Sequence, residues 1–380
     1  MAARHVLSGA AAAVWLAATA LALTERRRGP DPLGEEPLAD GPLVSVVLPA
    51  RDEARGVGQA VRSHLGQTYR RIEVIVVDDE SSDGTAAAAL AAAGSDRRFR
   101  LVRGERVPDG WVGKSWACRQ GAEHATGEWL LFTDADVVHA PGALARCLAL
   151  AIRLDRGGLT LAPRVDTATV SERLVLPAAA ALIQFVLAPG PLARSPRSAI
   201  AMAAGAYLLV RRDLYDRVGG HDGIGGHMVD DLALAQAVKR SGALLMPADG
   251  TGVVRLRMYH DVGELWRGWR KNAAFASPHG VTKGVVPAAA LAGLGLLPVI
   301  AVVQGVRRRD ATSATLGAAG FAAQCALQRL AGPIVETPAR YAPTLPVGTT
   351  FMAAAAIRGA IDRITGRGPV WRGRRYPHAR

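Results

Sequence analysis

Three pairs of carboxylates are spaced along this chain, and each suits a different step of one kind of chemistry. Val77-Asp78-Asp79-Glu80-Ser81-Ser82-Asp83-Gly84-Thr85 sets an acidic pair at the end of an apolar run. Such a pair accepts hydrogen bonds from a nucleobase N–H or ribose hydroxyls, and the same residues also build an ordinary acidic turn into a helix. Asp134 and Asp136 stand two apart in Phe132-Thr133-Asp134-Ala135-Asp136-Val137. Read as extended chain, the segment puts both carboxylates on one side, where they can share a hard divalent cation that neutralises a diphosphate; the plain alternative is a solvated loop. Asp230 and Asp231 open an amphipathic helix reaching about Lys239, behind Gly219-Gly220 and Gly225-Gly226, which read as a flexible approach. Acids in a first helical turn complement the helix dipole, and one of them can also serve as a general base facing an acceptor hydroxyl.

Cations accompany these acids. Lys114, one of only four lysines beside 42 arginines, ends the loop Asp109-Gly110-Trp111-Val112-Gly113-Lys114 and offers a charge to phosphate, unless the loop is merely surface. Trp266 and Trp269 share a helical face, with Arg267, Arg270 and Lys271 able to reach lipid phosphate or a substrate diphosphate. The alternative is a core-packed helix with solvated charges. There is no Gly-x-x-x-x-Gly-Lys-Ser/Thr loop, no Gly-x-Ser-x-Gly elbow and no cluster of His and Cys along the sequence, which disfavours kinase-like, hydrolase and zinc chemistry.

The elements that must position these residues alternate as in an α/β domain. Strands are expected at 43–50, 72–78, 99–102 and 129–133. Helices are expected at 54–67, at 85–93 with Thr85 as its cap, and at 115–125. Pro30 to Pro42 reads as a linker.

Around that domain lie uncharged runs. Val6 to Thr24 is long enough to cross a bilayer and is followed by Arg26, Arg27 and Arg28, which resist translocation and favour an anchor over a cleaved signal peptide. Leu174 to Ala193, broken by Pro177, Pro189 and Pro191, reads as a membrane-surface or re-entrant helix. Gly284 to Val306, Ala311 to Gln328 and Tyr341 to Ile357 read as a membrane domain rich in Ala and Gly. Three crossings after a cytoplasmic domain would place an Arg-rich tail outside, against the positive-inside rule, so an even count with one run interfacial or re-entrant is favoured. The resulting segments are an anchor (1–28), a linker (29–42), a catalytic domain (43–250), an interfacial segment (251–283), membrane helices (284–357) and a basic tail (358–380). The location expected is the inner cell membrane, multi-pass, with the catalytic domain cytoplasmic.

Composition sharpens this. The chain has 380 residues and a net charge of +13, but residues 1–250 are balanced at 28 basic and 28 acidic, and residues 251–380 carry 18 basic against 5 acidic. The whole excess therefore falls beside the apolar runs, which argues for an anionic leaflet and against a nucleic-acid partner. The three cysteines, Cys118, Cys147 and Cys325, form no disulfide or zinc pattern.

Taken in order, Val44 to Ala50, the 77–85 acidic turn, Asp134-Ala135-Asp136 and Asp230-Asp231 resemble the family 2 glycosyltransferases. Gly110-Trp111-Val112-Gly113-Lys114-Ser115-Trp116-Ala117-Cys118, Arg257-Met258-Tyr259 and Gly268-Trp269-Arg270-Lys271-Asn272 are similar to its membrane-bound carotenoid-acid and hopene-associated branches. The resemblance spans about residues 43–276. It implies a GT-A α/β domain with a mixed central sheet, flanked by N-terminal and C-terminal transmembrane helices. It also implies inverting transfer of one sugar from a nucleotide sugar, of UDP type, to a lipid-like acceptor such as a carotenoid acid or hopanoid. Within that resemblance Pro49, Glu53, Asp78, Asp79, Lys114 and Asp134 would hold the nucleotide sugar. Asp136 with Asp134 would bind Mg2+ or Mn2+, and Asp231, beside Asp230, would be the base. Arg267, Trp269, Arg270 and Lys271 would face diphosphate or acceptor. Two features depart from the family pattern: Arg51-Asp52-Glu53 replaces the usual Asn-Glu, and no Gln-x-x-Arg-Trp is present, which favours single transfer over polymerisation. A polyprenyl-phosphate sugar synthase and a non-catalytic membrane scaffold remain as alternatives.

Overall fold

The computed structural model describes residues 2–26, 29–187, 190–275, 281–365, 370–371 and 373–375. Arg27, Arg28, Pro189, residues 276–280 of the interfacial segment and much of the basic tail lie outside these described residues. The chain divides into two compact units.

One unit comprises residues 29–165, 191–258 and 372–380. Its sheet is built from β1 (Val44–Ala50), β2 (Ile72–Asp78), β3 (Phe99–Arg103), β4 (Trp129–Phe132), β5 (Val137–His139), β6 (Gly157–Val165), β7 (Leu208–Arg211) and β8 (Leu244–Leu256), in the order β3-β2-β1-β4-β7-β6-β8-β5. β3, β2, β1 and β4 are parallel, while β7 runs antiparallel to both β4 and β6. β1 and β2 are near-continuous apolar runs because helices cover both of their faces. Helix Gly113–His124 packs so closely on this sheet that a Cβ at Gly121 would lie 2.3 Å from Val47 Cγ1.

Several local expectations change. The helix after the first acidic turn is Thr85–Ala93, but Thr85 is its first helical residue and Gly84 is its cap. The buried Thr85 hydroxyl instead accepts the Glu53 backbone N–H at 2.8 Å, tying the Arg51-Asp52-Glu53 loop to the turn. Pro30 to Pro42 is stapled to this unit: Asp249 N–H donates to Pro30 O at 2.9 Å, and Leu33 lies against Gly252. β8 runs through position 250, so no break in structure falls there.

The other unit comprises residues 1–28, 166–190 and 259–371. Among the described residues three helical segments are long and apolar enough to cross a membrane: Arg4–Thr24, Val285–Arg308 and Ala339–Asp362. Ala311–Leu330 is not one of them. It buries Gly317, Gly320, Gln324 and Gln328, and Gln324 donates to Gly295 O at 2.9 Å, so small residues and polar side chains hold it to its neighbours. The segment from Leu174 forms the end of helix Val170–Ala181, with Pro177 inside it, and it buries Val175, Leu176, Ala178 and Ala179. In helix Val262–Phe275, Trp266 stacks edge-on with Phe351 at 5.3 Å, and Arg270 pairs with Asp362 at 3.2 Å. Arg270, expected at a diphosphate, thus has a carboxylate partner in its own unit.

Candidate active site

The C-terminal ends of β2 and β4 deliver the first two acidic clusters to one edge of the sheet, where open α/β sheets bind ligands. Pro49, paired with Val77, brings β1 to the same edge.

At the end of β2 the two acids make different contacts. Asp78 accepts the Ser81 N–H at 3.2 Å and its carbonyl takes the Gly104 N–H, so it holds the turn. Asp79 is buried, at 3% exposure. Its Oδ2 accepts from Arg374 at 2.5 Å, whereas its Oδ1 is buried with no hydrogen-bond partner among the described residues. Arg51 donates to the Asp79 carbonyl at 2.6 Å. Burial raises the Asp79 carboxyl above its ordinary value, with Arg374 and then Arg51 pulling the other way.

After β4 the chain turns instead of staying extended, so Asp134 and Asp136 do not project side by side from a strand. The turn begins at Thr133, whose hydroxyl donates to Ala206 O at 2.8 Å. Asp134 faces Lys114 and Gly205: its Oδ1 meets Lys114 Nζ at 2.6 Å, and a Cβ at Gly205 would lie 2.9 Å from its Oδ2. Asp136 lies against Gly56, where a Cβ would come within 3.2 Å of the Asp136 Cα.

Lys114 is the second residue of helix Gly113–His124 and joins the second acidic cluster to the third. Its Nζ also lies 3.5 Å from Asp230 Oδ1. Desolvation would lower the pKa of this ammonium, but Asp134, Asp230 and Asp231 outweigh it and hold it well above the ordinary lysine value. Asp230 and Asp231 occupy the first turn of helix Asp230–Arg240, with Val229 as the cap. Asp231 is pushed up to about 6 by burial and by Asp230, against the opposing pull of Lys114 and of the Leu232 N–H, which donates to its Oδ1 at 2.7 Å.

The glycines before this helix are packing devices, not a loose approach. A Cβ at Gly220 would lie 2.6 Å from the Tyr215 ring, and one at Gly225 would lie 2.6 Å from the Trp111 ring. Val112 N–H donates to Gly225 O at 2.7 Å. The loop that leads into Lys114 therefore docks on the loop that leads into Asp230.

Sequence reading missed three features of this region. Arg374 reaches Asp79 across 295 positions, and nothing in the spacing of an Arg-rich tail distinguishes it. Ser115 Oγ is buried with no partner among the described residues, beside Lys114. Cys118, His221 and Asp230, scattered in the chain, bring ligand atoms within 4.8 Å of one another. His221 is lowered to about 4 by burial and Cys118 is raised well above the ordinary thiol, so both are neutral and packed, with His221 Nδ1 2.8 Å from the Tyr215 hydroxyl. Arg267, Trp269, Arg270 and Lys271 belong to the other unit.

Residues 45–219 match the family described as "Glycosyl transferase family 2". The 4,4'-diaponeurosporenoate glycosyltransferase of Staphylococcus haemolyticus (strain JCSC1435) is 28% identical over 249 residues, 61% of this chain and 61% of that protein. The protein of the same name from Staphylococcus aureus (strain USA300) is 27% identical over 244 residues, 60% of each chain. The present chain thus matches about three fifths of the length of these relatives. Among solved structures, the mannosyltransferase PcManGT from Pyrobaculum calidifontis, in complex with GDP-Man and Mn2+, superposes with a TM-score of 0.52 at 21% identity, covering 95% of this chain and 99% of that one. That likeness gives the fold, GT-A. With its parallel β3-β2-β1-β4 block, its acids at the carboxyl edge and the match over residues 45–219, the chain resembles the family 2 glycosyl transferases and, among them, the carotenoid-acid glycosyltransferases.

Proposed function

We propose that this protein transfers a single sugar, with inversion, from a uridine-type nucleotide sugar to a lipid-like acceptor such as a carotenoid acid or a hopanoid. The observation that carries the reading is the shared ammonium of Lys114, 2.6 Å from Asp134 and 3.5 Å from Asp230, with Asp231 in the same helical turn. One cation shared by a set of carboxylates, at the carboxyl edge of the sheet, suits displacement of a diphosphate.

Asp79 Oδ1, a buried acceptor, suits the imide N–H of a pyrimidine base. Asp134 and Asp136 offer hard oxygen donors that fit Mg2+ or Mn2+, whereas the sulfur and nitrogen donors of Cys118 and His221 do not. A divalent cation held by Asp134 and Asp136 would supply charge neutralisation to the donor diphosphate. Lys114 sits where its ammonium can follow that diphosphate as negative charge builds on the leaving oxygen. Asp231, with its raised pKa, is suited to take the proton of an acceptor hydroxyl. The acceptor oxygen then bonds to the anomeric carbon as the bond to the phosphate oxygen breaks, the proton passes to Asp231 and the nucleoside diphosphate departs. One displacement inverts the configuration.

The acceptor class is supported by the carotenoid-acid relatives and by the three apolar helices in the same chain. The test is release of UDP and formation of a glycolipid by membranes containing the protein, supplied with UDP-sugars and a carotenoid acid or hopanoid. Efficient transfer to a soluble glycan with none to any lipid would sink the acceptor assignment. Transfer that survives Asp136→Ala and Asp231→Asn would sink the site.

A further inference from the structure

Asp79 is held in a way that restricts what it can read. Its side chain is 5% exposed, and its two oxygens are not equivalent. Arg374 donates through one guanidinium nitrogen to Oδ2 at 2.5 Å and through the other to Glu80 Oε2, so the planar guanidinium bridges neighbouring acids. That leaves Oδ1 as the buried oxygen without a partner among the described residues. The Arg374 side chain is 17% exposed, so its arm to Asp79 is largely shielded from water and is stronger than a surface pair, whereas Glu80 is half exposed.

We infer that Arg374 is a specificity-determining residue of the donor site, selecting uracil-type over guanine-type nucleotides by occupying one of the two oxygens of Asp79. This rests on the donor reading proposed above. A guanine edge presents two adjacent donors, N1–H and the 2-amino group, and pairs best with both oxygens of a carboxylate. A uracil edge presents one donor, N3–H, between two carbonyl acceptors. A carboxylate with one unpartnered oxygen beside a guanidinium matches acceptor-donor-acceptor and leaves a guanine amino group facing a cation. Adenine and cytosine present a ring nitrogen acceptor where Oδ1 needs a donor, so they are disfavoured as well. The bridge also works against the effect of burial on Asp79, helping to keep the carboxylate ionised. The separation matters because a buried donor without an acceptor costs more than a lost hydrogen bond contributes.

The experiment measures binding of UDP and GDP to the full-length protein in detergent, with Mg2+ present, for wild type, Arg374→Ala, Arg374→Lys and Glu80→Gln. Wild type is expected to prefer UDP. Arg374→Ala should reduce the UDP:GDP preference at least tenfold, chiefly by improving GDP, and with UDP-sugar should raise KM while leaving kcat within a few-fold. Arg374→Lys should restore part of the preference and Glu80→Gln should give an intermediate loss. Thermal unfolding of each variant verifies the fold, and Glu80→Gln, which keeps Arg374 in place, remains informative if Arg374→Ala fails to fold. Nucleotide binding with an unchanged ratio in both variants overturns the inference and leaves the donor reading standing. Tighter binding of both nucleotides alike marks Arg374 as a competing plug and also overturns it. Absence of binding of either nucleotide to wild type overturns the donor reading, and this inference falls with it.

Discussion

Asp231 and Lys114 belong to one charge cluster, and that coupling makes their substitutions predictive of each other. Asp231 is raised to about 6, so as a base it is competent above that pH and is progressively protonated below it. Transfer to a hydroxyl acceptor should therefore show an acid limb with a midpoint near 6, losing about tenfold per pH unit below it. Asp231→Asn should abolish that limb and lower kcat by roughly 10²–10⁴-fold, with donor binding nearly unchanged. Lys114 pulls the pKa of Asp231 downward, so Lys114→Met should move the limb to higher pH and weaken donor binding, both read from one pH–rate series. A limb that stays in place in Lys114→Met would mean that the two groups are not coupled. The identities of the acids and of Lys114 were legible in the sequence because their residue types stand out at the ends of apolar runs. Their partners were not, because a lysine shared by acids 20 and 116 positions away follows from the strand order and not from local spacing.

At the scale of elements, β1, β2 and the flanking helices could be read from apolar periodicity, since a parallel sheet buried on both faces imposes long apolar runs. The turn at Thr133–Asp136 could not, because β4 and β5 are short and the break between them is set by Thr133 bonding to Ala206. The pair Gly225-Gly226 suggests flexibility by residue type, but the Gly225 hydrogen lies where a side chain would strike Trp111 at 2.6 Å. Gly225→Ala should displace the Trp111 loop that leads to Lys114, raising donor KM while costing about 1–3 kcal/mol of stability by overpacking, measured by kinetics and thermal unfolding. A second element-scale consequence lies between helix Val57–Leu65 and β5. His64 and His139 lie with ring centroids 4.3 Å apart and planes tilted by 43°, both buried, with none of their ring nitrogens partnered among the described residues. Burial lowers His64 to about 3 and His139 well below its ordinary value. In the unfolded chain both titrate near 6.5, so that form gains two protons on acidification that the fold resists. Stability should be unaffected by this pair above about 6.5 and should fall as pH drops below it, by about 2.7 kcal/mol per pH unit once both are protonated in the unfolded chain. His139→Phe should roughly halve that slope in denaturant titrations at successive pH values.

At the scale of the whole molecule, composition and packing select different helices as membrane crossings, and packing has the better physical claim. Helix Ala311–Leu330 falls short in apolarity, yet it runs parallel to helix Ala2–Arg26, with His5 on Asp310 at 2.9 Å and Thr19 donating to Ala323 O at 3.0 Å. It also runs antiparallel to helix Val281–Arg308, from Gly305 beside Ala314 to Gly295 beside Gln324. A 20-residue helix flanked along its length by two helices long and apolar enough to cross is itself about 30 Å long and would share their depth. Leu345–Ile364 is apolar enough to cross but ends on Asp362, which pairs with Arg270 and Arg358 at 3.2 Å each, a charged cluster costly in a bilayer core. Two crossings after the sheet-bearing unit, 281–308 and 311–330, would return the tail to the side of that unit. This agrees with Arg374 bonding Asp79, since a residue that bonds Asp79 shares its compartment. The charge rule favours the same even count through the far more basic tail, although this arrangement leaves Arg307, Arg308 and Arg309 on the opposite side. Single cysteines at Ala311, Arg340 and Arg374, in a chain whose Cys118, Cys147 and Cys325 are replaced by alanine, test it with a membrane-impermeant maleimide on sealed vesicles of known orientation. Arg340→Cys and Arg374→Cys should label from the same face and Ala311→Cys only from the other. Labelling of positions 311 and 340 from one face would mean that 311–330 does not cross, and the span would pass to Leu345–Ile364 as its composition suggests.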